Sequence, residues 1–512
     1  MLEIRHATIV KTAEERELIR DLSFVMNKGD KFALIGLEGS GKSTLLKWIV
    51  GDSLDYVDCT GEVVTKRHRI GYLPQSIAGE YDDINVLDFL LKPTPDSEIT
   101  AESYRKLTHL NKMLQYVHFD EQIFDETKTI RKYSGGELVK LGLVKLLLDE
   151  PDVLVLDEPT NDLDLDTILF MEDFIQMETR PILYISHDEA LLEATATGII
   201  HLVQTHKRQR AVTFFVKTTY MEYKQKRKDM LDSQEMIARK QRSDFRKKME
   251  RFRSIYQTVE HQQNQAVRNP SLGRLLAKKM KSIKSTEHRY QREQEQFLDI
   301  PEREESIDLT FTSNASFPNN KDVIRFHEEE LVVGGKVLAR NLDMIVKGPQ
   351  KIAIIGKNGS GKTTLLKVIR DRLIDRDDIR LGYMPQAYEE LLTEEMSALD
   401  IILPKGDRRE EATIRKMMGA LQFTREEMEY KQTLLSGGQK AKLFLLKMVV
   451  EDDNVLLLDE PTRNLSPLSI PVIHQMLLQY QGAIIAVTHD RNFIENVFDK
   501  IYVLDATGLH EL

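Results

Sequence analysis

The feature that most constrains this chain is a repeat. Lys31-Phe32-Ala33-Leu34-Ile35 runs into Gly36-Leu37-Glu38-Gly39-Ser40-Gly41-Lys42-Ser43. Far downstream, Lys351-Ile352-Ala353-Ile354-Ile355 runs into Gly356-Lys357-Asn358-Gly359-Ser360-Gly361-Lys362-Thr363. Each passage reads as a short apolar strand, a glycine-rich turn and the first turn of a helix, entered through Thr44 or Thr364. In that context the turn has a mechanism. Successive backbone N–H groups at a helix start form a nest for phosphate oxygens, and the glycines allow close approach and positive φ. Lys42 and Lys362 then reach the β and γ phosphates of a nucleotide, and Ser43 and Thr363 ligate Mg²⁺. One such match can be a chance turn; two in matching context cannot.

Further landmarks follow each turn in one order. Ile70-Gly71-Tyr72-Leu73-Pro74-Gln75 is echoed by Leu381-Gly382-Tyr383-Met384-Pro385-Gln386. Tyr133-Ser134-Gly135-Gly136-Glu137 is echoed by Leu435-Ser436-Gly437-Gly438-Gln439. Val153-Leu154-Val155-Leu156-Asp157-Glu158-Pro159 returns as Val455-Leu456-Leu457-Leu458-Asp459-Glu460-Pro461, an apolar run suited to a parallel strand buried on both faces. Ile185-Ser186-His187-Asp188 returns as Val487-Thr488-His489-Asp490.

This succession resembles the ABC ATPases, with Walker A, Q-loop, signature, Walker B with its glutamate, and switch histidine in order. The resemblance covers roughly 400 residues and implies an α/β fold with two ABC-type P-loop NTPase domains. By resemblance, Asp157 and Asp459 join Ser43 and Thr363 at Mg²⁺, with Gln75 and Gln386 sensing metal and water. Glu158 and Glu460 polarise the attacking water, and His187 and His489 contact the γ-phosphate. The cassettes of this family close head to tail, so Ser134, Gly135 and Gly136 complete the site on Lys362. Ser436, Gly437 and Gly438 complete the site on Lys42. The copies also differ. The first reads Thr160-Asn161-Asp162-Leu163-Asp164 after Walker B, the second Thr462-Arg463-Asn464-Leu465-Ser466, so the family's D-loop aspartate is Asp164 but is replaced by Ser466. Both copies keep glutamate and histidine, and both are expected to hydrolyse ATP at unequal rates. No aromatic residue stands at the usual adenine-stacking position before either P-loop, so ATP rather than GTP follows from the family alone.

Composition narrows the setting. Hydrophobic content of 41% with 30% charged residues is ordinary for a folded protein, and no run approaches a membrane span. A single cysteine, Cys59, and charges in Met1-Leu2-Glu3-Ile4-Arg5 fit a cytoplasmic protein without a secretory signal. The net charge of −10 is segregated. Between Lys207 and Ile300 there are about 24 Lys and Arg against about 11 Asp and Glu.

Spacing therefore predicts a first ATPase domain over 1–206, a basic linker over 207–305 and a second ATPase domain over 306–512. The linker reads as an antiparallel α-helical hairpin. Phe245, Met249, Phe252 and Tyr256 form a helical seam, Asn269-Pro270-Ser271 breaks it, and Leu276, Met280 and Ile283 resume it. The aromatic residues are expected in packing rather than base stacking. Arg268, Arg274, Lys278, Lys279 and Lys281 stud the region of the tip, near 263–274, and suit an RNA phosphate backbone.

Two cassettes with a basic interdomain hairpin resemble the ABC-F group. That resemblance implies binding to the ribosomal exit site with ATP, a linker directed toward P-site tRNA and the peptidyl transferase centre of 23S rRNA, and hydrolysis that times release. It also implies a monomer whose two cassettes pair with each other. The absence of a sizeable arm insertion, and Thr462-Arg463-Asn464-Leu465-Ser466-Pro467-Leu468-Ser469, resemble the antibiotic-resistance branch. Lincosamides, pleuromutilins and streptogramin A compounds are then the expected drug classes. A housekeeping translation factor, and the cytosolic motor of a membrane transporter, remain alternatives of other kinds.

Overall fold

A computed structural model describes residues 1–12, 15–77, 79, 81–117, 119, 128–161, 163–205, 210–265, 270–295, 297–299, 301, 311, 315–392, 395–403, 408–421 and 423–512. The first cassette runs β1 (Leu2–Lys11), β2 (Arg16–Met26), β3 (Lys31–Gly36), α1 (Lys42–Val50), β4 (Val57–Val64), β5 (Ile70–Leu73), α2 (Val86–Leu91), α3 (Ala101–Tyr116), α4 (Gly135–Leu148), β6 (Val153–Leu156), α5 (Leu165–Met177), β7 (Ile182–Ile185), α6 (Glu189–Thr195), β8 (Gly198–Thr205) and β9 (Arg210–Val216). The hairpin contains α7 (Tyr220–Gln265) and α8 (Pro270–Glu295). The second cassette runs β10 (Asp322–Val333), β11 (Lys336–Lys347), β12 (Lys351–Ile355), α9 (Lys362–Leu373), β13 (Leu381–Met384), α10 (Ala398–Ile402), α11 (Arg408–Ala420), α12 (Gly437–Val450), β14 (Val455–Asp459), α13 (Ile470–Gln479), β15 (Ala483–Val487), α14 (Arg491–Val497), β16 (Lys500–Asp505) and β17 (Gly508–Glu511).

Each cassette is built on one six-stranded sheet, in the order β5-β6-β7-β3-β8-β9 and β13-β14-β15-β12-β16-β17. All neighbours are parallel except the last pair of each sheet. The strand β9 thus completes the first sheet although its residues fall in the span read from sequence as linker. Every residue of β3, β6, β7, β14 and β15 is buried, as their unbroken apolar runs require of strands covered on both faces. Because β3 lies between β7 and β8 while β5 and β6 lie beyond β7, the carboxyl ends of β3, β5, β6 and β7 open on one edge. That edge is where open α/β sheets collect ligands.

The side sheets differ. Among the described residues the first is three-stranded, β2-β1-β4, and the second is two-stranded, β10-β11. In the second cassette only residues 374–380 separate α9 from β13, too few to supply a counterpart of β4. Arg372 donates to the His327 carbonyl and Arg376 to the Asp322 and Val323 carbonyls, covering part of the open edge of β10.

Met1–Tyr220 together with Glu304–Leu512 form one compact unit, and Met221–Arg303 another. Within the second unit, Phe252, Val259, Leu276 and Ile283 are buried between the two helices, flanked by Met249, Tyr256, Met280 and Tyr290. Tyr290 meets Phe245 and Phe252 edge-on at 6.1 and 5.8 Å, so the aromatic seam is packing. At 1.5 Å per residue the 46-residue α7 is about 69 Å long. Among the described residues no helix is long and apolar enough to cross a membrane.

Candidate active site

The P-loops hold their shape because glycine alone fits. Gly36 and Gly356 adopt φ of 147° and 155°, and a Cβ there would lie 2.5 Å from the Leu202 carbonyl oxygen or 2.4 Å from that of Leu504. Gly39 and Gly359 have φ of 71° and 78°. Gly41 and Gly361, at 94° and 97°, cap α1 and α9 without a side-chain partner, leaving the helix N–H groups for a ligand. Lys42 Nζ donates to the Gly36 and Leu37 carbonyls at 2.9 and 3.1 Å; Lys362 Nζ does so to Gly356 and Lys357 at 2.7 and 3.0 Å. The hydroxyls of Ser40 and Ser360 are buried without a partner among the described residues, as in a cradle built for phosphate oxygens. Thr44 Oγ1 lies 3.4 Å from the Tyr56 hydroxyl, and Thr364 lines the second site.

In the first cassette the remaining groups converge on Glu158. Ser43 Oγ and Tyr72 OH donate to the two oxygens of Asp157, each at 3.1 Å. Gln75 Nε2 donates to Glu158 at 2.7 Å, and His187 Nε2 stands 3.4 Å from its other oxygen. His187 Nδ1 donates at 2.7 Å to the carbonyl of Leu465, which belongs to the other cassette. Burial pushes the Glu158 carboxyl up, but His187, Lys42 and Arg463 outweigh it and hold the group below the ordinary glutamate value.

The second cassette places the same residue types differently. A cavity of about 480 Å³ takes in Lys362, Thr363, Thr364, Gln386 and Glu460, and extends to Glu158 and His187. Burial, followed by the neighbouring Asp459, pushes Glu460 up to about 8. Burial and then the Lys362 charge push His489 down to about 4. Both oxygens of Asp459, one of Glu460 and both ring nitrogens of His489 are buried without a hydrogen-bond partner among the described residues. Glu158 and Glu460 share a left-handed backbone, φ 48° and 52°, a conformation that costs a non-glycine residue about 1–3 kcal/mol and aims the side chain off the strand end.

These donors fit Mg²⁺ with ATP. Among the described residues no cluster of three or more His, Cys, Asp or Glu could cage a metal. One hydroxyl and one carboxylate per site, with orphaned oxygens beside them, suit a hard cation that completes its shell with water and phosphate.

The signature residues open long helices. Ser134 caps α4 in a reciprocal box with Glu137, followed by Gly135 and Gly136; Ser436 caps α12 with Gln439, followed by Gly437 and Gly438. The structure brings Gly438 to the first P-loop, where its N–H donates to Glu38 at 2.9 Å. On the other side Asp164 accepts from the backbone N–H of Asn358 in the second P-loop at 3.4 Å. Arg491 and Glu172 add an ion pair between the cassettes at 2.6 Å. Sequence reasoning missed Glu38, Leu465 and Arg463 as participants. It also left the adenine end blank. Leu18 packs beneath Gly41, and Leu331 and Leu338 beneath Gly361, so close that a Cβ on either glycine would meet them at about 3 Å. Of the linker cations, Arg274, Lys278, Lys279 and Lys281 are exposed, and Arg268 lies outside the described residues.

A profile of the family described as ABC transporter matches residues 19–161 and 339–463, more than half of the chain. "ABC transporter F family member 5" of Arabidopsis thaliana is 25% identical over 541 residues, covering 97% of this chain and 74% of that protein. "ATP-binding protein Uup" of Buchnera aphidicola subsp. Schizaphis graminum is 28% identical over 515 residues, covering 96% and 79%. Among solved structures, the archaeal ribosome recycling factor aABCE1, in complex with the ribosomal stalk protein aP1, superposes with a TM-score of 0.60 at 15% identity. That match covers 98% of this chain and 89% of the other, and it establishes the shared fold. The paired P-loops, each following a strand of a mostly parallel sheet, are thus those of an ATP-hydrolysing protein, and the chain belongs to the ABC transporter family.

Proposed function

We propose that this ATPase is a cytoplasmic ABC-F protein that binds the ribosomal exit site with ATP and protects the ribosome from antibiotics. Its hairpin is directed toward P-site tRNA and the peptidyl transferase centre of 23S rRNA. The observation that carries this reading is the hairpin itself, a two-helix unit inserted between cassettes whose Arg246, Lys247, Arg251, Arg274, Lys278 and Lys279 are all exposed. Such a surface suits a phosphate backbone read by shape and charge. The similar Arabidopsis protein carries the F-family name, and structural neighbours include a ribosome-bound archaeal ABCE1. The segment Thr462–Ser469 and the lack of a sizeable arm favour the resistance branch, acting on lincosamides, pleuromutilins or streptogramin A.

In this reading Lys42 and Lys362 bind phosphate, and Glu158 and Glu460 orient and deprotonate water. His187 and His489 hold the γ-phosphate end, and Gln75 and Gln386 position water. Ser134, Gly135 and Gly136 close the Lys362 site, and Ser436, Gly437 and Gly438 the Lys42 site. When bound, Mg²⁺ at Ser43 with Asp157, and at Thr363 with Asp459, neutralises charge on the phosphates. Because each nucleotide is shared between cassettes, its hydrolysis loosens the closed form and times release.

The test is co-sedimentation of the Glu158→Gln, Glu460→Gln double variant with ribosomes. ATP-dependent pelleting is expected. Replacing Arg274, Lys278 and Lys279 by Ala should weaken it and flatten its salt dependence. No pelleting from protein that binds ATP would overturn the ribosomal reading in favour of a transport motor. Pelleting without any change in the drug susceptibility of an expressing strain would leave a housekeeping factor.

A further inference from the structure

The two P-loops differ at two positions that the motif leaves open, Leu37 against Lys357 and Glu38 against Asn358, and the second of these reaches the cassette interface. The difference has a structural consequence. Glu38 reaches across the cassette interface, and its Oε2 accepts the N–H of Gly438 at 2.9 Å. Gly438 is the second residue of the 14-residue α12, whose N-terminus carries partial positive charge and unpaired N–H groups. The contact is tight: a Cβ on Gly438 would lie 3.6 Å from that same carboxylate oxygen and 2.6 Å from the carbonyl of Asn464.

The opposite interface is arranged in mirror sense. There the P-loop offers the donor, the Asn358 N–H, and the D-loop offers the carboxylate, Asp164. The symmetry-related D-loop position is Ser466, whose hydroxyl is buried against Ser469 at 2.9 Å. Of these two contacts, the one at the Lys42 site takes its carboxylate from the P-loop and the one at the Lys362 site takes it from the D-loop. An aspartate at position 466 would give the Glu38 side two.

We propose that Glu38 is a built-in occupant of the signature helix start. Its carboxylate holds the nucleotide-free cassettes in register and must be displaced by the γ-phosphate of ATP bound at Lys42. The proposal rests on the reading that Ser436, Gly437 and Gly438 close the Lys42 site. It makes Glu38 a positioning residue with opposite effects on two measurable states. The contact favours pairing of the cassettes without nucleotide. Against a γ-phosphate aimed at the same N–H, the same charge opposes binding.

The experiment is MgATP binding by equilibrium dialysis to the full chain carrying Glu158→Gln and Lys362→Ala, with and without Glu38→Asn or Glu38→Gln. Either Glu38 variant should bind ATP about tenfold more tightly, the scale of removing one nearby like charge. The nucleotide-free variants should melt at lower temperature. Ser466→Asp should also lower the nucleotide-free melting temperature, and Glu38→Asn should recover much of that loss. A residue that only braced the fold would weaken both states, so unchanged or weaker ATP binding in both Glu38 variants would overturn the proposal. No ATP binding with or without the Glu38 substitutions would overturn the assignment of the Lys42 site beneath it.

Discussion

The two cassettes carry the same catalytic residue types in the same order, yet their glutamates live in different surroundings. Glu158 accepts from Gln75 and faces His187, which is tethered to Leu465 of the other cassette. Glu460 lines a cavity and accepts the backbone N–H of His489 at 3.4 Å, while its other oxygen stands 3.8 Å from His489 Nε2 and has no hydrogen bond among the described residues. The counterpart of Leu465 is Leu163, but His489 makes no equivalent bond among those residues. A motif thus fixes where a side chain starts, whereas its hydrogen bonding is set by the D-loop of the opposite cassette. Here those D-loops are Asn161-Asp162-Leu163-Asp164 and Arg463-Asn464-Leu465-Ser466.

The largest effect should come where the cassettes are alike. Gly36→Ala and Gly356→Ala each drive a Cβ into a backbone carbonyl at positive φ. Each should abolish ATP binding at its own site and lower stability by about 3 kcal/mol, read by isothermal binding and chemical unfolding. Tolerance of one and not the other would break the equivalence of the P-loops.

A smaller effect separates the strands that precede Walker B. Where the first cassette has Pro151, the second buries Asp453, whose Oδ2 has no partner among the described residues and whose pKa burial raises to about 7. The unfolded chain releases that proton near 3.8, so the folded state binds it between pH 3.8 and about 7. Stability from this group is present below that window and declines as pH rises through it. Asp453→Asn should therefore stabilise the protein at pH 8, by on the order of 2 kcal/mol, and change little at pH 4. Equal melting shifts at both pH values would show the carboxyl to be ionised throughout.

The smallest effect concerns the histidines. In nucleotide-free protein His187→Ala removes a bond to the opposite cassette and should cost about 1 kcal/mol of unfolding free energy. His489→Ala removes buried nitrogens that make no hydrogen bond among the described residues, the Glu460 carboxylate standing 3.8 Å from Nε2, and should be neutral or stabilising. Equal costs in chemical denaturation would contradict the asymmetry.

Much of the fold was legible because apolar strands, glycine turns and the second copy all agreed. The helical seam was legible too: Leu276 and Ile283 are spaced for one face of α8 and are buried with Phe252 of α7. The wiring of the site was not. Glu38 and Gly438 are 400 residues apart, and His187 and Leu465 are 278 apart. Nothing local in either sequence announces the partner. The mismatch of Glu38 with Asn358 was the available signal, and it points to a contact only once the interface is seen. Leu18 and Leu338 escaped notice because an aromatic was sought where an aliphatic side chain packs against the glycine that caps the helix.

The most direct test of inequality between the sites is steady-state ATP hydrolysis at pH 7 by the single variants Glu158→Gln and Glu460→Gln, each with intact ATP binding. With Glu158 hydrogen-bonded to Gln75 and facing a His187 tethered to the opposite cassette, and Glu460 lacking both arrangements among the described residues, Glu158→Gln should remove most of the activity and Glu460→Gln distinctly less. Equal losses, or a greater loss from Glu460→Gln, would contradict the account.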